Sequence, residues 1–301
     1  MIKFKLICRW LRYNVVLRLL SFLPSPIAYQ AVRMIGLFDS FVNGKDRLAY
    51  VQGLANAFPA LSSAELDNCW QAHRVMMARE QLDVLFIPKI SSLNCERLIT
   101  LHGLEVLQEA QQEGRGVVLA MGHYGRPIML STQLAVYGSK IGMLSQTIDE
   151  RNPHLNPVER SYLARKMKIV TEAAGGRWLM LDDSMRPLYE GVKSGETIIL
   201  MFDLHEPKPT NRLEVPFCNG VMGLPRGIER VAAATGARVV YGVAKDDGRK
   251  VVVELRKLPQ DPHQALVAAV KELEKDVKTA PWQWWQWPLF DHAWSSSLKD
   301  G

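Results

Sequence analysis

The segment Gly116-Val-Val-Leu-Ala-Met-Gly122-His123-Tyr124-Gly125 sets a histidine between glycines at the end of an unbroken apolar run. Such a run reads as a strand buried on both faces. In open α/β sheets, sites gather beyond the carboxyl ends of the strands. A histidine placed there can take a proton from an acceptor hydroxyl or amine as that group attacks a thioester. Gly122 and Gly125 would let a substrate approach the backbone closely. Taken alone, one of seven histidines in this position reads equally well as a structural or binding residue.

Arg126 follows within three residues and precedes Pro127, a favoured first helical position. An arginine at a helix N-terminus can hold a phosphate, of an acceptor lipid or of a carrier's phosphopantetheine. The bland reading is a solvated arginine. Arg151, Arg165, Arg177 and Arg226 are further candidates for an anionic headgroup, with Arg226, in the loop before a helix, ranked first. His205 lies near Asp203 and Glu206, but neighbouring ligands on one loop with no other His or Cys cluster make a poor metal site, so none is assigned. His154 and Glu159 repeat a His-x4-Glu spacing in a Pro-rich loop, which reads as coincidence. Trp282, Trp284, Trp285 and Trp287 form a dense cluster, with Trp294 beyond. It suits either a tail packed on the core or a membrane edge.

The elements that must position these residues can be read from periodicity. Apolar runs at Val117–Met121, Ile141–Leu144, Ile169–Val170, Ile198–Phe202, Val239–Val243 and Val251–Leu255 predict strands. Before, between and after them, helical patterns cover 104–112, 127–137, 157–167, 184–193, 225–235 and 262–278. This alternation predicts an α/β fold with a mostly parallel central sheet flanked by helices. Residues 46–100 read as a helical lead-in, with Ser62 or Ser63 and Glu65 as a cap and Trp70 and His73 as packing residues. The α/β domain then spans 101–301.

Residues 1–45 form a basic, apolar segment. No acidic residue precedes Asp39, while Lys3, Lys5, Arg9, Arg12, Arg18 and Arg33 account for the whole surplus of +6. Charge confined to one segment argues against a nucleic-acid partner. The longest charge-free stretch there, Leu19 to Val32, holds Pro24 and Pro26, and tolerating Arg18 makes it only marginally long enough to span a membrane. A helix lying on anionic lipid explains the charges more directly. No small-residue cleavage site follows the apolar run, so a signal peptide fits less well. Four widely spaced cysteines, Cys8, Cys69, Cys95 and Cys218, point to a reduced compartment.

The ordered series across about residues 100–287 resembles the lipid A late acyltransferase branch of the bacterial lysophospholipid-acyltransferase-like superfamily. The strand and loop ending in His123-Tyr-Gly125 carry the likeness. So do Gly195-Glu-Thr-Ile-Ile-Leu-Met-Phe-Asp203, Val215-Pro-Phe-Cys-Asn-Gly220, Leu224-Pro-Arg226-Gly227 and Pro281-Trp-Gln-Trp284. The resemblance implies transfer of an acyl chain from acyl carrier protein or coenzyme A to a membrane lipid or glycolipid. The reaction would run at the cytoplasmic face of the inner membrane and need no cofactor. It implies His123 as general base, with an acid five positions on to orient its ring. That position holds Ile128. Three accounts remain open: another acid, Asp203 first and Glu206 second; an unassisted histidine; or a non-catalytic lipid-binding protein on the same fold. Acylation of a different acceptor is a further alternative. Gly122, Tyr124, Gly125, Arg126 and Arg226 are the expected substrate contacts.

Overall fold

The computed structural model describes residues 2–42, 44–152, 155–204, 212–290 and 294–296. Helices come first. α1 (Ile2–Leu11) passes through a π turn at Arg12–Val16 into α2 (Leu17–Leu20), and α3 (Ser25–Val42), α4 (Gly44–Ala57) and α5 (Ser63–Phe86) follow. Ser62 caps α5 in a reciprocal box with Glu65, as the sequence pattern predicts.

Then come β1 (Ile99–His102), α6 (Leu104–Gln112), β2 (Val117–Met121), α7 (Ile128–Val136), β3 (Ile141–Ser145), α8 (Pro157–Ala174), β4 (Gly175–Met180), α9 (Arg186–Lys193) and β5 (Thr197–Met201). A hairpin of β6 (Arg212–Phe217) and β7 (Gly220–Pro225) precedes α10 (Gly227–Thr235), β8 (Arg238–Asp246), β9 (Val251–Lys257), α11 (Pro262–Thr279) and β10 (Trp294–Ser296). The central sheet has the order β1-β9-β8-β2-β5-β3-β4. Its β8, β2, β5, β3 and β4 run parallel, while β9 pairs antiparallel with β8 and carries β1 alongside. The fold is therefore mixed α/β, with a mostly parallel sheet flanked by helices. A small second sheet has the order β10-β7-β6.

Two apolar clusters lie on the two faces of the sheet, and successive β2 residues alternate between them as the pleat requires. Val118 and Ala120 join one cluster with Leu266, Val270 and Leu273 of α11; Val117, Leu119 and Met121 join the other with Met129, Leu130 and Leu134 of α7. β2 is buried along its whole length, which explains its continuous apolar run.

One expected strand is corrected. Ile169 and Val170 lie inside α8, which begins at Pro157 under an Asn156 cap and runs to Ala174; the edge strand follows at Gly175–Met180. β-Branched residues are tolerated in a helix when its other face packs, so a two-residue run carried no strand information. The strands β1, β6, β7 and β10 have no counterpart among the sequence-based elements.

Among the described residues, no helix is long and apolar enough to cross a membrane. Among the described residues, fourteen of the eighteen exposed large apolar side chains fall between Ile7 and Leu48. α3 is two-faced: Ile27, Met34, Phe38 and Phe41 are exposed, while Ala28, Tyr29, Val32 and Asp39 face inward and are buried.

Candidate active site

The strand β2 ends at Met121, and the chain turns through Gly122 to place His123 at the carboxyl edge of the sheet. Next to it β5 ends at Met201, and Phe202 N–H donates to the Met121 carbonyl (3.0 Å), extending the ladder one residue further. Asp203 then lies against His123. Its Oδ1 is 2.7 Å from His123 Nδ1, and its Oδ2 accepts the His123 backbone N–H at 2.7 Å. The Trp284 indole N–H donates to the same Oδ2 at 2.8 Å. Three donors therefore converge on one carboxylate.

Burial divides the pair. The Asp203 side chain is 1% exposed and that of His123 is 21% exposed. A carboxylate can only accept, so Nδ1 carries a proton, and in the neutral ring the lone pair is on Nε2. A buried acid that fixes the tautomer of a partly exposed imidazole is the arrangement a histidine base requires.

A short segment from the far end of the fold closes over this loop. Gly125 N–H donates to the Gln283 carbonyl (2.9 Å), and Trp285 N–H donates to the His123 carbonyl (2.9 Å). The Trp285 indole donates to the Gly125 carbonyl (2.9 Å), and its ring centroid lies 6.0 Å from that of His123. Lys166 of α8, paired with Glu80 of α5, holds its ammonium 5.7 Å from the Trp285 ring centre. The tryptophan cluster thus packs mainly as part of the core: Trp284 and Trp287 are buried.

The glycines serve the protein itself. A Cβ on Gly122 would lie 2.9 Å from Leu273 and 3.3 Å from Asp203 Oδ2; one on Gly125, at φ +65°, would lie 2.0 Å from the Ala244 carbonyl oxygen. The space that the sequence reading left for a substrate is filled by the fold.

Two expected contacts lie elsewhere than foreseen. Arg126 is fully buried rather than facing a phosphate. Its guanidinium donates to Asp83 (2.6 and 2.7 Å), Asp246 (3.1 Å) and the Tyr29 hydroxyl (2.8 Å). Burial works against its charge, but Asp83, Tyr29 and Asp246 more than offset it, so the group stays protonated. Tyr124 is buried too, with its hydroxyl 2.8 Å from the Asp276 carbonyl oxygen and its ionisation pushed far up by burial. Both residues anchor the loop from behind.

Arg226 precedes α10 and is bound by both guanidinium arms to Glu229 (2.5 and 2.8 Å), with a third of its side chain exposed. Arg151 pairs with Asp149 and Asp183, Arg177 with Glu196, and Arg165 donates to the Tyr13 carbonyl and Asn14. Ile128 lies in the first turn of α7, packed in the apolar cluster with Met129 and Leu134. His154, His205 and Glu206 fall outside the described residues. Among the described residues, no group of three or more His, Cys, Asp or Glu is placed to hold a metal. A narrow apolar crevice between Leu204, Met222, Leu224, Phe290 and Trp294 reaches Asp203, with room for about 10 Å³, roughly one water.

A mostly parallel α/β sheet with a carboxylate-oriented histidine at its carboxyl edge has the geometry of a site that can move a proton. The family model for bacterial lipid A biosynthesis acyltransferases matches residues 2–290, nearly the whole chain, and the chain belongs to that family. It is an acyltransferase, of a family that acts on lipid-type acceptors. No curated protein matches it.

Proposed function

We propose that this enzyme moves a fatty acyl chain from an acyl thioester, carried by acyl carrier protein or coenzyme A, to a hydroxyl of a membrane lipid or glycolipid. The observation that carries the proposal is the 2.7 Å contact between His123 Nδ1 and the buried Asp203 carboxylate. Nε2 of His123 takes the proton of the acceptor hydroxyl as its oxygen attacks the thioester carbon. Asp203 stabilises the imidazolium so formed. The tetrahedral intermediate collapses, the C–S bond breaks, and the leaving thiolate takes the proton back from His123. Every proton and electron pair is accounted for within donor, acceptor and imidazole, so the proposal assigns no cofactor.

The reading also places the enzyme on the cytoplasmic face of the inner membrane, resting on its N-terminal helices. Its support is the exposed row Ile27, Met34, Phe38 and Phe41 on α3, continued by Leu19 and Phe22 before it, in a segment rich in basic residues. Apolar side chains among cations suit an anionic lipid surface.

The test is direct. Purified protein is offered acyl-carrier-protein and coenzyme A thioesters together with membrane lipid extract. Acylated lipid should form and be lost in His123→Ala. Equal turnover in that variant would overturn the assignment of the base.

A further inference from the structure

The Asp203 carboxylate has a donor that the base does not supply. The Trp284 indole N–H reaches Oδ2 at 2.8 Å, so each carboxylate oxygen is tied, Oδ1 to the imidazole and Oδ2 to the indole and the His123 backbone. The indole is itself held firmly. Trp284 is 2% exposed, stands edge-on to Trp287 (4.6 Å, 90°) and to Phe290 (5.9 Å, 87°), and forms a backbone bridge with Tyr124. Without the indole, both carboxylate oxygens would be bonded to His123 alone, through its ring and its backbone N–H. The soft Cβ–Cγ torsion would then let carboxylate and loop shift together; the indole ties Oδ2 to a separate buried element. With the second oxygen fixed, the Nδ1 contact keeps its direction.

We infer that Trp284 is a positioning residue: its N–H locks the Asp203 carboxylate so that His123 is held with the proton on Nδ1. The arrangement is a relay of indole, carboxylate and imidazole, in which the indole touches no substrate. The inference rests on the proposed role of His123 as base.

The test compares two buried tryptophans in the full chain. Trp284→Phe removes the N–H and keeps most of the aromatic bulk. Trp287→Phe does the same to a fully buried neighbour, whose N–H goes to the Pro281 carbonyl at 2.7 Å. Losing one hydrogen bond to a charged group should lower kcat roughly 10–100-fold in Trp284→Phe, with KM for both substrates within about twofold. In Trp287→Phe, kcat should stay within about threefold of the parent, because its N–H serves only a backbone carbonyl. A second readout needs no turnover: ¹⁵N resonances of the His123 ring should show the Nδ1–H tautomer in the parent and in Trp287→Phe, and a mixture in Trp284→Phe. Where Trp284→Phe fails to fold, benzothienylalanine at position 284 keeps the two-ring shape and replaces N–H by sulfur. Unchanged kcat and tautomer in the Trp284 variants would overturn the inference. Absence of acyl transfer by the parent protein would instead overturn the proposed function, and the tautomer comparison would still decide the role of Trp284.

Discussion

Met121 of β2 and Met201 of β5 are the final register pair of two parallel neighbours, and His123 and Asp203 each stand two residues beyond them. Equal overhang on adjacent strands carries the two side chains to the same height above the sheet edge. The carboxylate therefore reaches His123 across the sheet, from 80 residues away. A partner five residues on would come from the first turn of α7, and that turn is given to packing through Ile128. Strand register supplies what the local motif lacks.

Asp203→Asn should keep the side chain's shape and remove its charge. Its single oxygen is drawn to the two N–H donors at the Oδ2 position, which turns the amide NH2 toward Nδ1. That favours the wrong ring tautomer and leaves no charge to stabilise an imidazolium. Turnover is expected to fall roughly 100- to 10,000-fold with little change in KM. Steady-state kinetics on purified variant and parent check this, and a loss below about tenfold would show that His123 works unassisted.

Arg126→Met should act on stability. It leaves the Asp83 carboxylate in the interior without its guanidinium, while Asp246 keeps Arg79 (2.8 Å); breaking a buried ion pair costs about 3–5 kcal/mol. Urea unfolding measures the loss, and adding Asp83→Asn should recover part of it. A higher KM for an anionic acceptor at unchanged stability would instead return Arg126 to the substrate.

His73 gives the fold an acid-sensitive point. Burial pushes its imidazole down to about 3, against the weaker opposing effect of its contact with the Trp282 carbonyl (3.0 Å). The unfolded chain binds the proton more readily, so this contribution is complete above about pH 6.5 and is lost progressively as pH falls toward 3. From pH 7 to pH 5, His73 alone should remove about 2 kcal/mol of unfolding free energy. Denaturant titrations at the two pH values should show a correspondingly smaller drop in His73→Gln.

Phe38 and Phe41 project from α3 at 66% and 77% exposure. Exchanging both for glutamate should leave thermal unfolding nearly unchanged, since neither side chain is in the core. Binding to vesicles of phosphatidylglycerol and phosphatidylethanolamine should weaken by roughly tenfold or more, because each buried phenyl ring contributes about 1.5–3 kcal/mol. Co-sedimentation of protein with vesicles decides it.

The sequence made some features plain and concealed others for reasons that are physical. β2 was legible because a strand buried on both faces must be apolar throughout, and His123 followed from where that run stops. Asp203 was recoverable because β5 shows the same pattern and an acid ends it. Arg126 was misread because its partners, Asp83, Asp246 and Tyr29, come from 43, 120 and 97 residues away and leave no local trace. The hairpin of β6 and β7 escaped because its two-residue turn is Cys218-Asn219, both at positive φ, where a glycine would normally announce it. The bond from Trp284 to Asp203 was equally hidden: a cluster of tryptophans advertises apolar surface, while the direction of one N–H is settled only by packing.

The clamp from Gln283 to Trp285 also sets a schedule. Asp203 precedes Trp284 by 81 residues along the chain. At ribosomal speeds this gap takes roughly 4–16 s to synthesise. Through that interval a growing chain holds both halves of the dyad without the indole that steadies them. Completion of the base is thus a late event in the birth of the molecule, separated in time from the strands that bring its parts together.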